Sequence, residues 1–148
     1  MSERPTPHRR SDYVQFSSIT TRWMDNDVYG HLNNAVYYSL FDTAVSGWLR
    51  EQGLCIPNES SIIGYVVSSS CDYFSSAGFP ELLEAGLRVG QVGRSSVRYE
   101  VGIFKAGSEL AVAQGRFMHA YVDSASRRPV NLPDGFRARL GTLLLPPA

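Results

Sequence analysis

Residues 23 to 34 read Trp-Met-Asp-Asn-Asp-Val-Tyr-Gly-His-Leu-Asn-Asn, a stretch in which Asp25, Asp27, His31, Asn33 and Asn34 crowd together. Polar side chains at this density do little to bury a core. They suit a site on a loop that opens into a helix. A helix start supplies unpaired backbone N–H groups and the positive end of a dipole. A carboxylate held beside it supplies a base or a nucleophile. Together they suit attack on a carbonyl whose oxygen becomes negative.

The flanking patterns say what positions the loop. Tyr13 to Trp23 is rich in β-branched and aromatic residues and reads as a strand. From Asn34 the period turns helical: Tyr37, Phe41, Ala44, Val45 and Trp48 recur at spacings of three and four and make one apolar face. Asn33 or Asn34 serves as the N-cap, and Gly53 as the C-terminal stop. Ile62 to Phe74 reads as a strand that ends in the turn-prone segment Ser75 to Pro80. Leu83, Ala85, Leu87 and Val89 alternate with Glu84, Gly86 and Arg88, and Val97, Tyr99, Val101 and Ile103 with Ser96, Arg98, Glu100 and Gly102. Leu110 to Val122 is apolar or small at nearly every position, the pattern of a strand covered on both faces. Lys105 to Ser108 forms the hairpin turn before it, and Phe136, Leu140 and Leu144 mark a short final helix. The order predicts an α+β layer, one long helix against an antiparallel sheet of about five strands, with the polar loop near the sheet rim.

Composition narrows the class. The chain has 148 residues, 43% of them hydrophobic, with 14 basic and 14 acidic side chains and no formal net charge. That is enough for one core and gives no basic surface for nucleic acid. Near-neutrality fits an assembled oligomer. Cys55 and Cys71 lack metal or redox spacing. The polar start, with Pro5, Pro7, Arg9 and Arg10, lacks the apolar core of a signal peptide, and no apolar run is long enough to span a bilayer. The expectation is a cytoplasmic protein with reduced thiols, a disordered N-terminal arm over 1–12 and one domain over 13–148.

The segment from Arg22 to Tyr38, centred on Asp27-Val-Tyr-Gly30-His31-Leu-Asn33-Asn34, resembles the active-site signature of hotdog-fold acyl-CoA thioesterases of the 4-hydroxybenzoyl-CoA thioesterase type. The likeness continues through Asp72-Tyr-Phe, Gly93-Arg-Ser-Ser96 and Val97-Arg-Tyr-Glu100, and so spans Tyr13 to Asp123. The resemblance implies a hotdog fold, in which the sheet wraps around one long central helix, and hydrolysis of an acyl-CoA to free acid and coenzyme A. It implies Asp27 as the catalytic carboxylate, as nucleophile or as activator of water. The backbone N–H near Asn34 would polarise the carbonyl, and His31 and Asn33 would position the loop, the carboxylate or the water. Tyr29, Gly30 and Tyr37 would line the substrate, and Arg94, Ser95 and Ser96 would contact the coenzyme. No metal and no cofactor is implied. The assembly implied is a homodimer or homotetramer with sites at the dimer interface. Asp42 stands where many relatives carry a glutamate on the central helix, and it is a second candidate carboxylate.

Each residue also has a plainer reading. Asp27 suits an Asx-turn, and Asp25 a cap at the strand end. His31 suits a loop histidine bonded to backbone, and His119 a packed or interfacial one. The run Asp25-x-Asp27-x-Tyr29-Gly30 opens like a calcium loop, but its fifth and twelfth positions are Tyr29 and Val36, which supply neither the ligand nor the bidentate glutamate. Ser68, Ser69 and Ser70 lack a nucleophile elbow. Arg127 and Arg128 suit either coenzyme phosphates or solvent. Two rival functions remain. A hotdog hydratase or dehydratase needs an acid and a base across two carbons, and a non-catalytic acyl-CoA-binding module needs neither.

Overall fold

The helical spacing that starts at Tyr37 produces α1, Val36–Glu51, which buries Tyr37, Leu40, Phe41, Ala44, Val45, Trp48 and Leu49 along one face. The computed structural model describes residues 4–145. Five antiparallel strands curl around this helix: β1 Gln15–Thr20, β2 Ile62–Tyr73, β3 Leu82–Val92, β4 Ser96–Lys105 and β5 Ala113–Asp123, in the spatial order β1-β3-β4-β5-β2. The alternating residues of β3 and β4 meet the helix: Leu83, Ala85, Leu87, Val89, Val97, Tyr99, Val101 and Ile103 share one core with Phe41, Val45 and Trp48. Each fully buried large side chain of this kind is worth roughly 1.5–3 kcal/mol. The helix ends as Gly53 takes a φ of +72° and Leu54 N–H reaches back to Leu49 O at 2.8 Å, closing the last turn. A second helix, α2, Asp134–Gly141, inserts Phe136 and Leu140. The Lys105–Ser108 turn forms as expected, with Gly107 at φ +79° and Ser108 N–H on Lys105 O at 2.9 Å.

Some boundaries differ from the sequence expectation. The strand expected over Tyr13 to Trp23 stops at Thr20, because Asp25 Oδ2 accepts the Arg22 N–H at 2.8 Å and winds Trp23–Asp25 into a 3-10 turn. The last strand starts at Ala113 and not at Leu110, and it is not covered on both faces throughout. Arg116 at its centre is exposed, and Gly115 beside it has no room for a side chain, since a Cβ there would strike Phe41 and the Ser70 carbonyl.

The largest difference is the N-terminal segment. The disordered arm expected over 1–12 is corrected for residues 4–12, which pack on the outer face of the sheet; residues 1–3 lie outside the described residues. Arg10 donates to Ser108 O at 2.6 Å and pairs with Glu84 at 3.0 Å, while its guanidinium lies over Phe104, 5.1 Å from the ring centre. His8 N–H donates to Gln114 Oε1 at 2.7 Å, and His8 Nδ1 lies 2.8 Å from Tyr13 Oη. The Tyr13 ring fills the space above two glycines, Gly86 and Gly102, where a Cβ would meet it within 2.9 Å and 2.5 Å. Glu100, Gly102 and Phe104, on the face expected to be polar, are buried under this segment. A polar composition hid the fit because the contacts depend on cations and hydrogen bonds.

Tyr13→Ala should therefore cost about 3 kcal/mol of stability, the loss typical of truncating a buried aromatic. Denaturant unfolding measures it. A loss below about 0.5 kcal/mol, the ordinary surface range, would mean that the segment does not cover the sheet.

Candidate active site

The polar loop follows β1 and the Trp23–Asp25 turn, and it is tied down on both sides. Asp25 is buried and sits in the hydrogen bonds of its own turn: Arg22 N–H donates to Oδ2, and the Arg22 guanidinium donates to Oδ1 at 2.9 Å. Burial pushes its carboxyl up, but these Arg22 contacts together bring it below the usual carboxylate range. Its backbone carbonyl accepts Asn33 N–H at 3.0 Å. Leu32 N–H donates to Ala77 O at 2.7 Å, and Asp27 N–H to His31 O at 2.9 Å. Asp27 to His31 is thus a closed turn, and Gly30 makes it possible at φ +84°.

Within this turn the two oxygens of Asp27 do different work. Oδ1 accepts Tyr29 N–H at 2.9 Å, an Asx-turn that fixes the carboxylate. Oδ2 lies 3.7 Å from His31 Nδ1. The Tyr29 and His31 rings are stacked, with centres 6.2 Å apart. Asn33 does the capping: its Oδ1 accepts Ala35 N–H and its carbonyl accepts Val36 N–H, both at 2.9 Å. Ala35 already has helical angles. The Asn34 N–H donates to no group among the described residues, whereas the Asn34 carbonyl accepts the Tyr73 hydroxyl at 2.8 Å.

A cavity of about 330 Å³ opens at this junction, lined by Asp27, His31, Asn34, Tyr37, Tyr73 and Ser75 among others. Tyr37 and Tyr73 meet edge to face, with centres 5.3 Å apart. Burial, with the neighbouring Cys71 and Glu81, pushes the Tyr37 hydroxyl up to about 12, so it stays protonated. The structure brings together Asp27, His31, Asn34 and Tyr37 from the expected set. Asn33 sits behind them as the cap, and Tyr29 and Gly30 lie at the exposed tip.

Arg94, Ser95 and Ser96 are elsewhere. β4 begins at Ser96, next to Ala120, and reaches the site end of the sheet only at Ile103, which pairs with Ala113 beside Tyr73. At a rise of ~3.3 Å per residue the separation is roughly 23 Å. Arg94 Nε donates to Asn131 at 2.5 Å, and the Arg94 and Ser95 carbonyls accept Leu132 and Tyr121 N–H. Asp42 is exposed on α1 and lines a different cavity, its Oδ1 3.5 Å from Ser46 Oγ. Among the described residues no group of three His, Cys, Asp or Glu side chains could hold a metal, and no helix is long and apolar enough to cross a membrane.

Two contributors were given no role from the sequence, although Tyr73 lies in the Asp72-Tyr-Phe stretch of the resemblance. Tyr73 forms a wall of the cavity and ties β2 to the helix start. Gly78 backs the loop so closely that a Cβ there would meet Gly30 O at 3.1 Å, Asn26 Oδ1 at 3.2 Å and His31 Cα at 3.2 Å. The only available signal for it was a glycine in the turn-prone Ser75–Pro80 segment, which any turn would show.

Comparison with known proteins gives the family and the fold. The family model of the thioesterase-like superfamily matches residues 21–140, from the loop approach through α2. The crystal structure of the PA5185 protein from Pseudomonas aeruginosa strain PAO1 superposes with a TM-score of 0.90 and is 48% identical, covering 95% of this chain and 97% of that one. Slr0204, a 1,4-dihydroxy-2-naphthoyl-CoA thioesterase from Synechocystis, superposes with a TM-score of 0.77 at 19% identity, over 88% of this chain and 98% of that one, a likeness of fold. The uncharacterised YsmA protein of Bacillus subtilis is 23% identical over 93 residues, 63% of this chain and 63% of its own length. The chain belongs to the thioesterase-like superfamily, and its sheet wrapped around one long helix is the hotdog fold of that group.

Proposed function

We propose that the protein hydrolyses an acyl-CoA thioester at the Asp27 cavity. The observation that carries this reading is one free carboxylate oxygen and one undonated backbone N–H on the same cavity. Asp27 Oδ2 is left available because Oδ1 is engaged by Tyr29, and the Asn34 N–H lies at the start of a long helix. A thioester carbonyl oxygen bound at Asn34 N–H would be polarised by that donor and by the positive end of the helix. Asp27 then either attacks the carbonyl carbon, so that the coenzyme leaves as thiolate and water hydrolyses the resulting mixed anhydride to free acid and the regenerated carboxylate, or takes a proton from a water that attacks the carbonyl carbon, so that the thiolate leaves and the free acid forms directly. His31 and the Asn33 cap fix the carboxylate and the helix start, and Tyr29, Gly30 and Tyr37 border the substrate.

The reading includes a homo-oligomer, a dimer or a tetramer built from it. β2 is an outer strand whose free edge pairs with no other strand among the described residues, and Tyr65, Val66 and Val67 on it are exposed. An open apolar edge of this length invites pairing. Antiparallel pairing of two copies of β2 about a two-fold axis would set the Ile62 end of one against the Tyr73 end of the other. The Arg94–Ser96 end of one protomer would then face the same way as the Asp27 loop of its partner, and a coenzyme could bridge them. The proposed setting is the cytoplasm, with acyl-CoA as the small-molecule partner.

Three outcomes are expected. Light scattering should give the mass of two or four chains at micromolar concentration, and a monomer would contradict the shared site. Gly30→Val should strain the turn by about 1 kcal/mol or more. A Cβ there meets open space, so the cost is conformational, and turnover should fall as Asp27 shifts. Unchanged turnover and stability would refute this account of the turn. Asp27→Asn, assayed beside Asp42→Asn on one acyl-CoA, should lower kcat by roughly two orders of magnitude while Asp42→Asn stays milder. The reverse ranking would move the chemistry to Asp42, and binding without turnover in the unmodified protein would favour a non-catalytic module.

A further inference from the structure

Two tyrosines stand on the wall of the Asp27 cavity, and their hydroxyls are in opposite states. The Tyr73 hydroxyl is spent, since it donates to the Asn34 carbonyl at 2.8 Å. The Tyr37 hydroxyl bonds to no group among the described residues. Nor is it sealed away. Among the described residues the buried polar side-chain atoms without a partner are Trp48 Nε1, Arg98 Nε and His119 Nε2, and Tyr37 Oη is not one of them. Tyr37 is only 3% exposed and lines this cavity, so the surface that its oxygen keeps belongs to the cavity. A free hydroxyl held in this way calls for a partner from outside the chain.

The helix sets where that hydroxyl lies. Tyr37 comes three residues after Asn34, and side chains on an α-helix lean over the turn N-terminal to their own Cα. The packing agrees. The Tyr37 ring meets the Tyr73 ring edge to face, with centres 5.3 Å apart, and Tyr73 is the residue that touches Asn34. The ring also belongs to the core that holds Leu32, Phe41 and Ala77, which fixes its direction. The other side-chain donors on the cavity are less suited. His31 faces the Asp27 carboxylate at 3.7 Å, and Ser75 and Ser76 carry exposed hydroxyls that water already serves. Burial first, then Cys71 and Glu81, pushes the Tyr37 hydroxyl up to about 12. At neutral pH it therefore donates, and it puts no second negative charge beside Asp27.

We propose that Tyr37 is a second oxyanion donor, whose hydroxyl joins the Asn34 N–H on the thioester carbonyl oxygen. The inference rests on the acyl-CoA reading given above and adds a group to take up the charge that forms there. When Asp27 or water adds to the carbonyl carbon, the π pair of the C=O bond moves onto the oxygen, which becomes fully negative. Both donors close on it, and each keeps its proton. When the C–S bond breaks, the pair returns to the C=O bond, the coenzyme leaves as thiolate, and Tyr37 is unchanged. A donor fixed in buried surroundings is worth more to that oxygen than one in water. Tyr37 thus touches the reacting atoms, whereas Tyr73 acts through Asn34 and is a positioning residue.

Two measurements on the full-length protein test this. The first compares Tyr37→Phe with the unmodified protein on several acyl-CoAs. Loss of one oxyanion donor should lower kcat by roughly a hundredfold to a thousandfold with little change in KM, and by a similar factor for every acyl group. An unchanged kcat overturns the proposal. So does a loss confined to acyl groups that carry an oxygen of their own, which would make Tyr37 a selector. The second measurement needs no turnover. Infrared difference spectra follow the carbonyl band of an isotope-labelled ketone analogue of acyl-CoA bound to the protein. Each donor on a carbonyl lowers its stretching frequency, so the band should rise in Tyr37→Phe. Fluorine on the Tyr37 ring beside the hydroxyl strengthens the donor at nearly constant size and should lower the band. A rise in Tyr37→Phe without a response to fluorine marks a structural role and overturns the proposal. A band that stays in place in both variants overturns it whatever the turnover. The expected shifts in a protein that cleaves no acyl-CoA would support the donor and reject the hydrolase reading.

Discussion

The junction between the polar loop and α1 is the constraint on which the site depends. Leu32 N–H is held by Ala77 O, Asn33 N–H by the carbonyl of Asp25, and the Asn34 carbonyl by the Tyr73 hydroxyl. Each bond is worth only about 0.5–1.5 kcal/mol net. Their effect is geometric. They occupy the groups on either side of Asn34 N–H and leave that donor open. The Asx-turn at Asp27 works alike, using one carboxylate oxygen to orient the other. The apolar face of α1, packed on β3 and β4, keeps the junction from drifting along the sheet.

Much of this was legible in the sequence, for definite reasons. The period-two runs of β3 and β4 and the helical run from Tyr37 are dictated by burial, which leaves a strong periodic trace. The loop stood out because its polar density had no structural use. Asp25 and Asp27 illustrate the limit. Two positions apart and chemically identical, they are separated only by whether Arg22 closes on one of them, and a single residue spacing does not reveal that. Residues 4–12 were misread because a cation over Phe104 and hydrogen bonds to Gln114 do not register as hydrophobicity. Gly78 was illegible as a position that matters to the loop. It acts through what approaches it from another loop, not through its own neighbours in the chain.

The outer strand β2 connects these observations. It carries the Tyr73 wall at one end and Gly64 beside His119 at the other, and its edge is open along the way. An isolated protomer leaves Tyr65, Val66 and Val67 in water. Pairing of the strand with its own copy, the assembly proposed above, would cover them and bring the far end of one strand beside the Tyr73 end of the other.

The most direct test of the central claim is a crystal structure with a coenzyme A analogue in which a ketone replaces the thioester. Its carbonyl oxygen should lie about 2.7–3.1 Å from Asn34 N, the spacing of an oxyanion donor, with Asp27 Oδ2 facing the carbonyl carbon. A ketone bound beside Asp42, or one whose oxygen points away from the start of α1, would contradict the account.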